Sequence, residues 1–385
     1  MKEQQRKILT ETGFGLTAAG KIFFCALAAC SCLSMNVYYA LITTVFCAAA
    51  SVSLDKKILA PNTFLIVPLI FVAGTVGKGG LPLAVLAGSV LFLLLSLSPK
   101  EIGFSPEVRA GAIFGLAFSV TALLTTYYFG IGATGAYTFE ILKNYRYLGF
   151  HPNWRGVFYG TITLFAMITY PRKFKKLSKY LPAEVFSVAV PLLLNLFLNP
   201  DGETTPILEV GALSDMKALS GFKAFFPIAD FSAVSEGENI LFVLKGAFAI
   251  AVIFALFKPL QKKNSIVSAS QGSVSSLFGG LPATESEITV YTPVSAVTAL
   301  AVTTVFAVFC PALISRIPLH SLAVVFIVSA WKSVEFRLAA PAFKERNIIG
   351  IVSFFVCALG FVFTDVFTAS LICVLISAAF GRMKK

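Results

Sequence analysis

Two short segments of the sequence interrupt the apolar runs around them and have the residue types of an anion-binding site. They are Ala60–Thr63, which contains Pro61, and Gly279–Thr284, which contains two glycines and Pro282. A helix that begins inside a membrane presents free backbone N–H groups, and its dipole places about half a positive charge at that end. Two such helix ends facing each other would hold an anion without a buried arginine. The alternative is that both segments are proline kinks without a ligand.

The predicted ligand-binding residues lie at the ends of these two segments. We expect backbone N–H groups near Thr63–Phe64 and Ala283–Glu285 to form an anion-binding cradle. Hydroxyl groups nearby would orient the ligand. The predicted substrate-binding residues are Asn62, Thr63, Phe64, Ala283, Thr284, Glu285 and Ser286.

Two carboxylates, Glu285 and Glu287, follow the second segment directly. Carboxylates inside a membrane span are costly and usually functional. Because ionised carboxylates would repel a bound anion, three roles fit: they carry a coupling H⁺, ligate Na⁺, or accept hydrogen bonds from a neutral substrate. A fourth interpretation is that the span begins later and both side chains face water. We predict Glu285 as the main coupling residue and Glu287 as a second one.

The rest of the sequence has no pattern that is typical of catalysis or of a metal site. His151 and His320 are the two histidines, and both lie at loop or span ends. The seven cysteines lie in apolar stretches without metal-ligand spacing. No pair of nucleophile and base is visible, and the glycine-rich stretches lack the Gly-Lys-Ser/Thr of a phosphate loop. We therefore expect neither an enzyme nor a bound metal or cofactor.

The composition predicts that membrane-spanning helices position these residues. The 385-residue chain is 57% hydrophobic and 13% charged, with a mean hydropathy of +0.84. Soluble domains carry about 45–50% apolar and about 25% charged residues. About fourteen spans of about 20 residues would use about 280 residues and leave only short loops. An ordinary soluble enzyme, a disordered tail and a fibre are excluded.

The apolar runs predict an all-α polytopic membrane protein with seven spans in each half. We interpret residues 1–199 and 238–385 as inverted repeats, joined by an extracellular-side loop over 200–237. The two interrupted segments open spans three and ten, which are corresponding positions in such repeats. The predicted spans are Gly13–Leu33, Val37–Leu54, Leu59–Val76, Leu81–Leu97, Ala110–Tyr128, Val157–Tyr170, Ala183–Leu198, Ile240–Phe257, Ser265–Phe278, Pro282–Thr292, Val294–Ile314, Leu319–Ala330, Ile348–Phe363 and Val366–Phe380.

The charge distribution agrees with this count of spans. The formal net charge is +12, and the basic residues cluster in short loops beside apolar runs, which indicates membrane orientation and no nucleic acid partner. If the N-terminus is cytoplasmic, every dense cluster falls on the cytoplasmic side, and so does the C-terminus. We expect a plasma-membrane protein. The clusters are Lys56 and Lys57; Arg172, Lys173, Lys175, Lys176 and Lys179; Lys258, Lys262 and Lys263; Lys332, Arg337, Lys344 and Arg346; and Arg382, Lys384 and Lys385.

Several strings of residues resemble the sulfate-permease (SulP) family of anion transporters. The most specific one is Ser276–Thr284, which is similar to the signature before the tenth span of that family. Three further strings are similar to the start of its fifth span, the entrance of its seventh span and its twelfth span. These supporting strings are Pro106–Ala117, Leu181–Ala183, and Ile317–Ala323 followed by Ala330–Lys332.

The resemblance implies a seven-plus-seven inverted repeat with a core domain and a gate domain. Substrate would lie between the starts of spans three and ten. Members of the family move sulfate, bicarbonate, chloride or dicarboxylates, some of them coupled to Na⁺ or H⁺, and related transporters often form homodimers in the membrane. Most members carry a C-terminal STAS domain. This sequence ends at Lys385, directly after the last predicted span, so we expect the membrane domain alone.

The sequence departs from the family at the predicted site. Thr289 stands at the position of the family's arginine, and Phe254 stands near the position of an acidic residue common in the eighth span. In the third-span motif, the family normally has small residues around a Pro-Thr pair, whereas this sequence has Asn62 between Pro61 and Thr63, followed by Phe64.

We predict a secondary active transporter of a small inorganic or organic anion that works by alternating access, with H⁺ or Na⁺ as candidate coupling ions. The alternatives are an H⁺-coupled nucleobase permease of the same overall fold and a non-transporting membrane scaffold or sensor.

Overall fold

The chain is predominantly helical. The computed structural model describes residues 2–32, 37–54, 58–61, 69–73, 76, 80–97, 104–131, 135, 137–179, 181–198, 237–257, 262–286, 292–309, 313 and 316–383. Its helices are α1 Lys2–Cys32, α2 Val37–Ser51, α3 Leu81–Leu97, α4 Pro106–Tyr128, α5 Thr138–Leu148, α6 Trp154–Lys173, α7 Ala183–Leu198, α8 Gly237–Leu256, α9 Lys262–Leu277, α10 Pro293–Phe309, α11 Leu319–Lys332, α12 Phe336–Lys344, α13 Ile348–Phe363 and α14 Val366–Met383. A short 3-10 helix, Leu177–Lys179, and two strands, β1 Ile58–Ala60 and β2 Thr284–Ser286, are the other elements of the described residues.

Hydrogen-bonding residues fix several helix starts. The Ser105 hydroxyl accepts the Val108 N–H at the start of α4, where Pro106 also favours the first turn. The Asn347 side chain accepts the Gly350 N–H at the start of α13. The Asp365 carboxylate accepts the N–H groups of Phe367 and Thr368 at the start of α14. These caps lie beside apolar runs and set where each run begins its helix.

The helices of the predicted spans follow the apolar runs closely. The helices α3, α7 and α13 agree with their predicted spans at both ends, while α1, α4 and α6 extend into polar flanks. Among the described residues, α4 alone is long and apolar enough to cross a membrane by itself. The other apolar helices, such as α3 and α13, are shorter.

Two stretches predicted as loops form short helices. The helix α5 packs against α4, and α12 packs against α4 and α13. Each buries a narrow face: Thr138 and Ile141 in α5, and Ala339 and Ala342 in α12. A predicted span needs about 20 apolar residues, and these helices are too short and too polar for that pattern.

The chain divides into two compact units that each draw on both halves of the sequence. The first unit comprises Met1–Asn62, Asn153–Asp230 and Pro259–Val325. The second comprises Thr63–Pro152, Phe231–Lys258 and Phe326–Lys385. Neither unit is a contiguous half of the chain, so long-range packing between the halves builds both of them.

In the first unit, α1 lies between helices from distant parts of the sequence. It packs along α10 and α2, and it also contacts α7. A Cβ atom on Gly15 would lie 2.7 Å from Thr298 Cβ, so the absence of a side chain allows the close approach of α1 and α10. The helix α6 packs against α7, where Tyr170 stacks on Phe186 with 4.1 Å between ring centroids.

In the second unit, glycines allow two helix pairs to approach closely. The helix α3 packs along α8, where a Cβ atom on Gly88 would lie 2.8 Å from Ile250 Cβ. The helix α4 packs along α13, where Gly111 and Gly115 face the backbone of Phe354 and Ala358. This spacing of small residues is typical of helix pairs in membranes, because it brings the two backbones into contact.

Candidate functional site

The two interrupted segments of the sequence adjoin an antiparallel pair of strands inside the first unit, in which Ala60 begins one segment and Thr284 ends the other. Ile58 pairs with Ser286, Leu59 with Glu285, and Ala60 with Thr284. The sequence predicted that the helical spans three and ten begin at Leu59 and Pro282, and this is wrong, because 58–60 and 284–286 are extended. The predicted helix end at Thr63–Phe64 lies outside the described residues. A helix forms its backbone hydrogen bonds within its own segment, whereas an extended strand forms them with a neighbouring strand. The extended backbone therefore lets β1 and β2 pair with each other.

The strand β1 and the residues that lead into β2 are buried in the core of the first unit. Leu59 has no exposed surface, and Ala60 and Ala283 are each 3% exposed. They pack in one apolar cluster with residues of α1, α2 and α10 and with Leu54 after α2. The helical residues of the cluster are Ala18, Ala19, Ile22, Cys47, Ala48, Ala296 and Ala299. Since no water reaches this region, its backbone polar groups need partners within the protein.

A glycine ends α9 and turns the chain into the segment that leads to β2. Gly279 has φ = 80°, a left-handed conformation that a residue without Cβ adopts at no steric cost. The N–H of Gly280 donates to the Ser275 carbonyl at 2.9 Å, and a Cβ atom on Gly280 would collide with the Ser275 side chain. The two glycines therefore let the chain double back closely over the last turn of α9.

The side chain of Gln271 on α9 holds the segment Leu281–Ala283. Its Nε2 donates to the Leu281 carbonyl at 3.2 Å, and its Oε1 accepts the Ala283 N–H at 2.9 Å. Nε2 also lies 3.5 Å from the sulfur of Cys47 on α2. The N–H of Leu281 donates to Thr43 Oγ1 on α2 at 2.8 Å. Side chains of α2 and α9 therefore satisfy the backbone on both sides of Pro282.

The other strand is held by Ser51, the last residue of α2. Its hydroxyl accepts the Leu59 N–H at 2.7 Å and donates to the Cys47 carbonyl at 2.6 Å. In an antiparallel pair, hydrogen-bonded and non-hydrogen-bonded residue pairs alternate. Because the Leu59 N–H is directed to Ser51, Leu59 and Glu285 form a non-hydrogen-bonded pair, in which both N–H groups point away from the partner strand.

The structure places part of the predicted site. Ala283 lies beside Gln271, and its N–H donates to Gln271 Oε1. Its predicted contact with a ligand stays a prediction. Thr284 is half-buried opposite Ala60, and Glu285 and Ser286 continue β2. The predicted site residues Asn62, Thr63, Phe64 and Glu287 lie outside the described residues, as does Thr289, the position that corresponds to the family's arginine.

Phe254, near the position at which the resemblance places an acidic residue, is a packing residue of the second unit. It is buried and contacts Phe92 on α3 edge-to-face, with 5.6 Å between ring centroids. The aromatic pair joins α8 to α3. An apolar contact therefore occupies the place where the resemblance implies a carboxylate.

Sequence reasoning missed the three polar residues that hold the strands: Thr43, Ser51 and Gln271. A signal was available, because Gln271 is an uncharged amide within a predicted span, and polar groups inside a membrane are rarely without a partner. Its contact with Cys47 could not be inferred, since the two residues are far apart in the sequence. The same holds for Thr43 and its partner Leu281. Within the described ranges, no group of three or more His, Cys, Asp or Glu side chains could hold a metal ion.

Comparison with solved structures identifies the fold. Murine solute carrier 26 family member A9, an anion transporter in the inward-facing state, superposes with a TM-score of 0.72 at 12% identity, over 98% of this chain and 68% of that one. A second structure, of SLC26A9, superposes with a TM-score of 0.71 at 12% identity, over 98% of this chain and 66% of that one. The transmembrane domain of the cyanobacterial bicarbonate transporter BicA gives 0.69 at 15% identity, over 96% and 97% of the two chains.

The chain has the fold of a SulP/SLC26-type transporter membrane domain. The comparisons confirm the resemblance to the membrane domain of that family at the level of the fold, whereas the fourteen spans and the inverted repeat stay predictions. Neither a protein-family model nor a curated protein sequence matches the chain. The chain spans nearly all of the BicA domain but only about two thirds of each SLC26A9 chain. With its composition, this fold makes the protein a multi-pass membrane protein.

Proposed function

We propose that the protein is a secondary active transporter of a small anion that works by alternating access. The antiparallel pairing of β1 and β2 carries this proposal, because it joins the interrupted segments of the two halves at one buried place. The fold supports it, since the solved structures of similar fold are an anion transporter and a bicarbonate transporter by name.

The non-hydrogen-bonded pair Leu59–Glu285 indicates which backbone group contacts the anion. The N–H groups of Leu281, Ala283 and Leu59 are bound to side chains, whereas the N–H of Glu285 points away from β1. We therefore centre the anion site on the outer edge of β2, at Thr284–Ser286. Asn62, Thr63 and Phe64, which lie outside the described residues, stay proposed substrate-binding residues.

Helix packing supports the seven-plus-seven inverted repeat. If β1 and β2 open spans three and ten, a shift of seven spans maps α1 onto α8 and α3 onto α10. The packing of α1 on α10 then corresponds to that of α8 on α3. Likewise, α6 packs on α7 as α13 packs on α14, and α1 contacts α7 as α8 contacts α14. An antiparallel strand pair has local two-fold symmetry, as expected where such repeats meet.

The same correspondence suggests domain roles and repeat boundaries. The repeats would be residues 1–199 and 238–385, joined by 200–237. We assign the core role to the first unit, because it contains both strands, and the gate role to the second. Alternating access would then be a rigid movement of the strand pair with its unit.

We further propose that Glu285 and Glu287 couple transport to H⁺ or Na⁺. We also propose that the protein pairs as a homodimer in the lipid bilayer.

Both termini are proposed to be cytoplasmic in the plasma membrane. The basic clusters support this orientation. Lys176→Cys should be labelled only from the cytoplasmic side by a membrane-impermeant maleimide, and Phe139→Cys only from outside. The reverse pattern would contradict this topology.

A thermal-shift screen of the purified full chain tests the transport proposal. The probes are sulfate, bicarbonate, chloride, dicarboxylates and nucleobases at two pH values. A ligand that binds only the folded state raises the apparent stability by mass action. We expect an anion to raise the melting temperature and to be taken up by proteoliposomes. A nucleobase response would favour the permease alternative, and the absence of any response would favour a non-transporting scaffold or sensor.

A further inference from the structure

The polar face of α9 points to a residue that positions the proposed anion site. Asn264, Ser268, Gln271 and Ser275 recur at intervals of four, three and four residues, so they lie on one face of the helix. All four are at least 96% buried, since their exposed fractions are 4%, 4%, 4% and 0%. A buried face with this many polar groups needs partners, and Gln271 has them in the segment before β2.

Gln271 forms with that segment the kind of hydrogen-bond pair that a neighbouring strand would form. Its amide donates to the carbonyl of Leu281 and accepts from the N–H of Ala283, two residues further on. The arrangement is possible in one orientation of the amide only, because Ala283 N–H is a donor and Leu281 C=O is an acceptor. One side chain therefore fixes both the position and the extended conformation of the residues on either side of Pro282.

The bonds of Gln271 decide where β2 begins. Thr284 follows Ala283 directly and pairs with Ala60. A change of one residue in register would turn every side chain of a strand to the opposite face and exchange its hydrogen-bonded and non-hydrogen-bonded positions. Glu285 would then no longer direct its N–H away from β1. A residue that fixes the register of β2 on β1 therefore also fixes the position of the proposed anion site.

We propose that Gln271 is a positioning residue that sets anion affinity by holding Leu281 and Ala283 in register with β1. It acts through the backbone and need not touch the anion. The inference rests on the proposed anion site at Thr284–Ser286. Ser268 and Ser275 flank Gln271 one turn away on the same face, and their hydroxyl groups are buried without a hydrogen-bond partner in the described structure. Gln271, and neither of these two serine side chains, therefore forms the hydrogen bonds to Leu281 and Ala283.

Two substitutions separate hydrogen bonding from packing. Gln271→Met keeps the length of the side chain but can neither donate to Leu281 nor satisfy Ala283. In Gln271→Glu, an ionised carboxylate accepts from Ala283 but cannot donate to Leu281, whereas a protonated carboxyl group does both. Cys47 contacts Gln271 from α2, and Glu285 follows in β2, so each variant is compared with wild type at the same pH. Val274→Ala, on the exposed face of α9, is the control.

The full chain in detergent is tested with chloride and sulfate, which keep one charge state between pH 5 and 8. We expect Gln271→Met to weaken binding at least about tenfold, because it orphans two buried backbone groups. Gln271→Glu should approach wild-type affinity at pH 5 and fall toward the methionine variant at pH 8. Wild-type affinity in Gln271→Met, or a Gln271→Glu variant as weak at pH 5 as Gln271→Met, would overturn the proposal.

Amide hydrogen exchange of the peptide 278–286 gives a readout that needs no ligand. We expect Gln271→Met to exchange faster there than wild type and Val274→Ala to exchange at the wild-type rate. Equal exchange in Gln271→Met and wild type would overturn the positioning role. A wild type that binds neither anion would count against the proposed function, and the exchange result would still decide whether Gln271 holds the segment.

Discussion

The N–H of Leu281 donates a 2.8 Å hydrogen bond to the hydroxyl of Thr43, although the two residues belong to opposite halves of the chain. The same hydroxyl donates to the Tyr39 carbonyl within α2 at 2.7 Å. One threonine therefore ties the backbone before β2 to the second predicted span. The site depends on both halves of the sequence through this contact as well as through the strand pair.

Thr43→Val should destabilise the protein and weaken anion binding. The substitution keeps the shape of the side chain but leaves the buried Leu281 N–H without its acceptor, which costs about 1–3 kcal/mol. Thr44→Val is a matched control, because Thr44 is equally buried and its hydroxyl bonds the Ala40 carbonyl of its own helix. We expect a clearly lower melting temperature for Thr43→Val than for Thr44→Val, and recovery in Thr43→Ser. Equal melting temperatures for the two valine variants would contradict this role of Thr43.

Gly115→Ala should loosen the packing of α4 on α13. A methyl group there would overlap the Ala358 carbonyl, and Ser119 one turn later donates to the Phe361 carbonyl at 2.8 Å, so the helices cannot simply separate. Overpacking of this kind costs about 1–3 kcal/mol. Gly360→Ala, whose Cβ would lie 3.5 Å from its nearest neighbour, should be tolerated. Unfolding in mixed detergent micelles measures both, and a stable Gly115→Ala variant would count against this tight interface.

Gly156 and His320 should be strongly coupled. The imidazole of His320 lies against Gly156, where a Cβ atom would collide with the ring, and His320 has no exposed surface into which it could move. Gly156→Ala should therefore cost about 2 kcal/mol in the wild-type background and almost nothing in a His320→Ala background. A double-mutant cycle on unfolding free energies gives the coupling directly. Additive effects of the two substitutions would show that the ring does not limit this position.

Glu285→Gln should abolish the pH dependence of anion uptake if Glu285 carries the coupling proton. A glutamine keeps the size of the side chain but cannot exchange a proton, so uptake should become equally fast across the pH range that affects wild type. Glu345→Gln, at an exposed position after α12, is the control and should retain the wild-type profile. An unchanged pH dependence of uptake in Glu285→Gln would exclude this role and would leave Glu287 as the remaining proposed coupling residue.

The apolar runs predicted most of the described helices well, because the hydrophobic pattern is a local property. The bounds of α3, α7 and α13 agree with the predicted spans at both ends. Local patterns did not reveal the strands: Ile58–Ala60 and Thr284–Ser286 are too short to show an alternating pattern. They are extended because each finds the other as a partner.

The sequence by itself determined that the chain belongs in a membrane, where its helices lie, and that the residues around Pro61 and Pro282 are special. Composition and the spacing of glycine and proline carry this information without any long-range contact. Only the tertiary structure decided that β1 and β2 form beside these prolines, that Ala283 donates to Gln271, and that the Glu285 N–H points away from β1. In an apolar interior every backbone group must find a partner, and which partner it finds depends on helices that folding brings together.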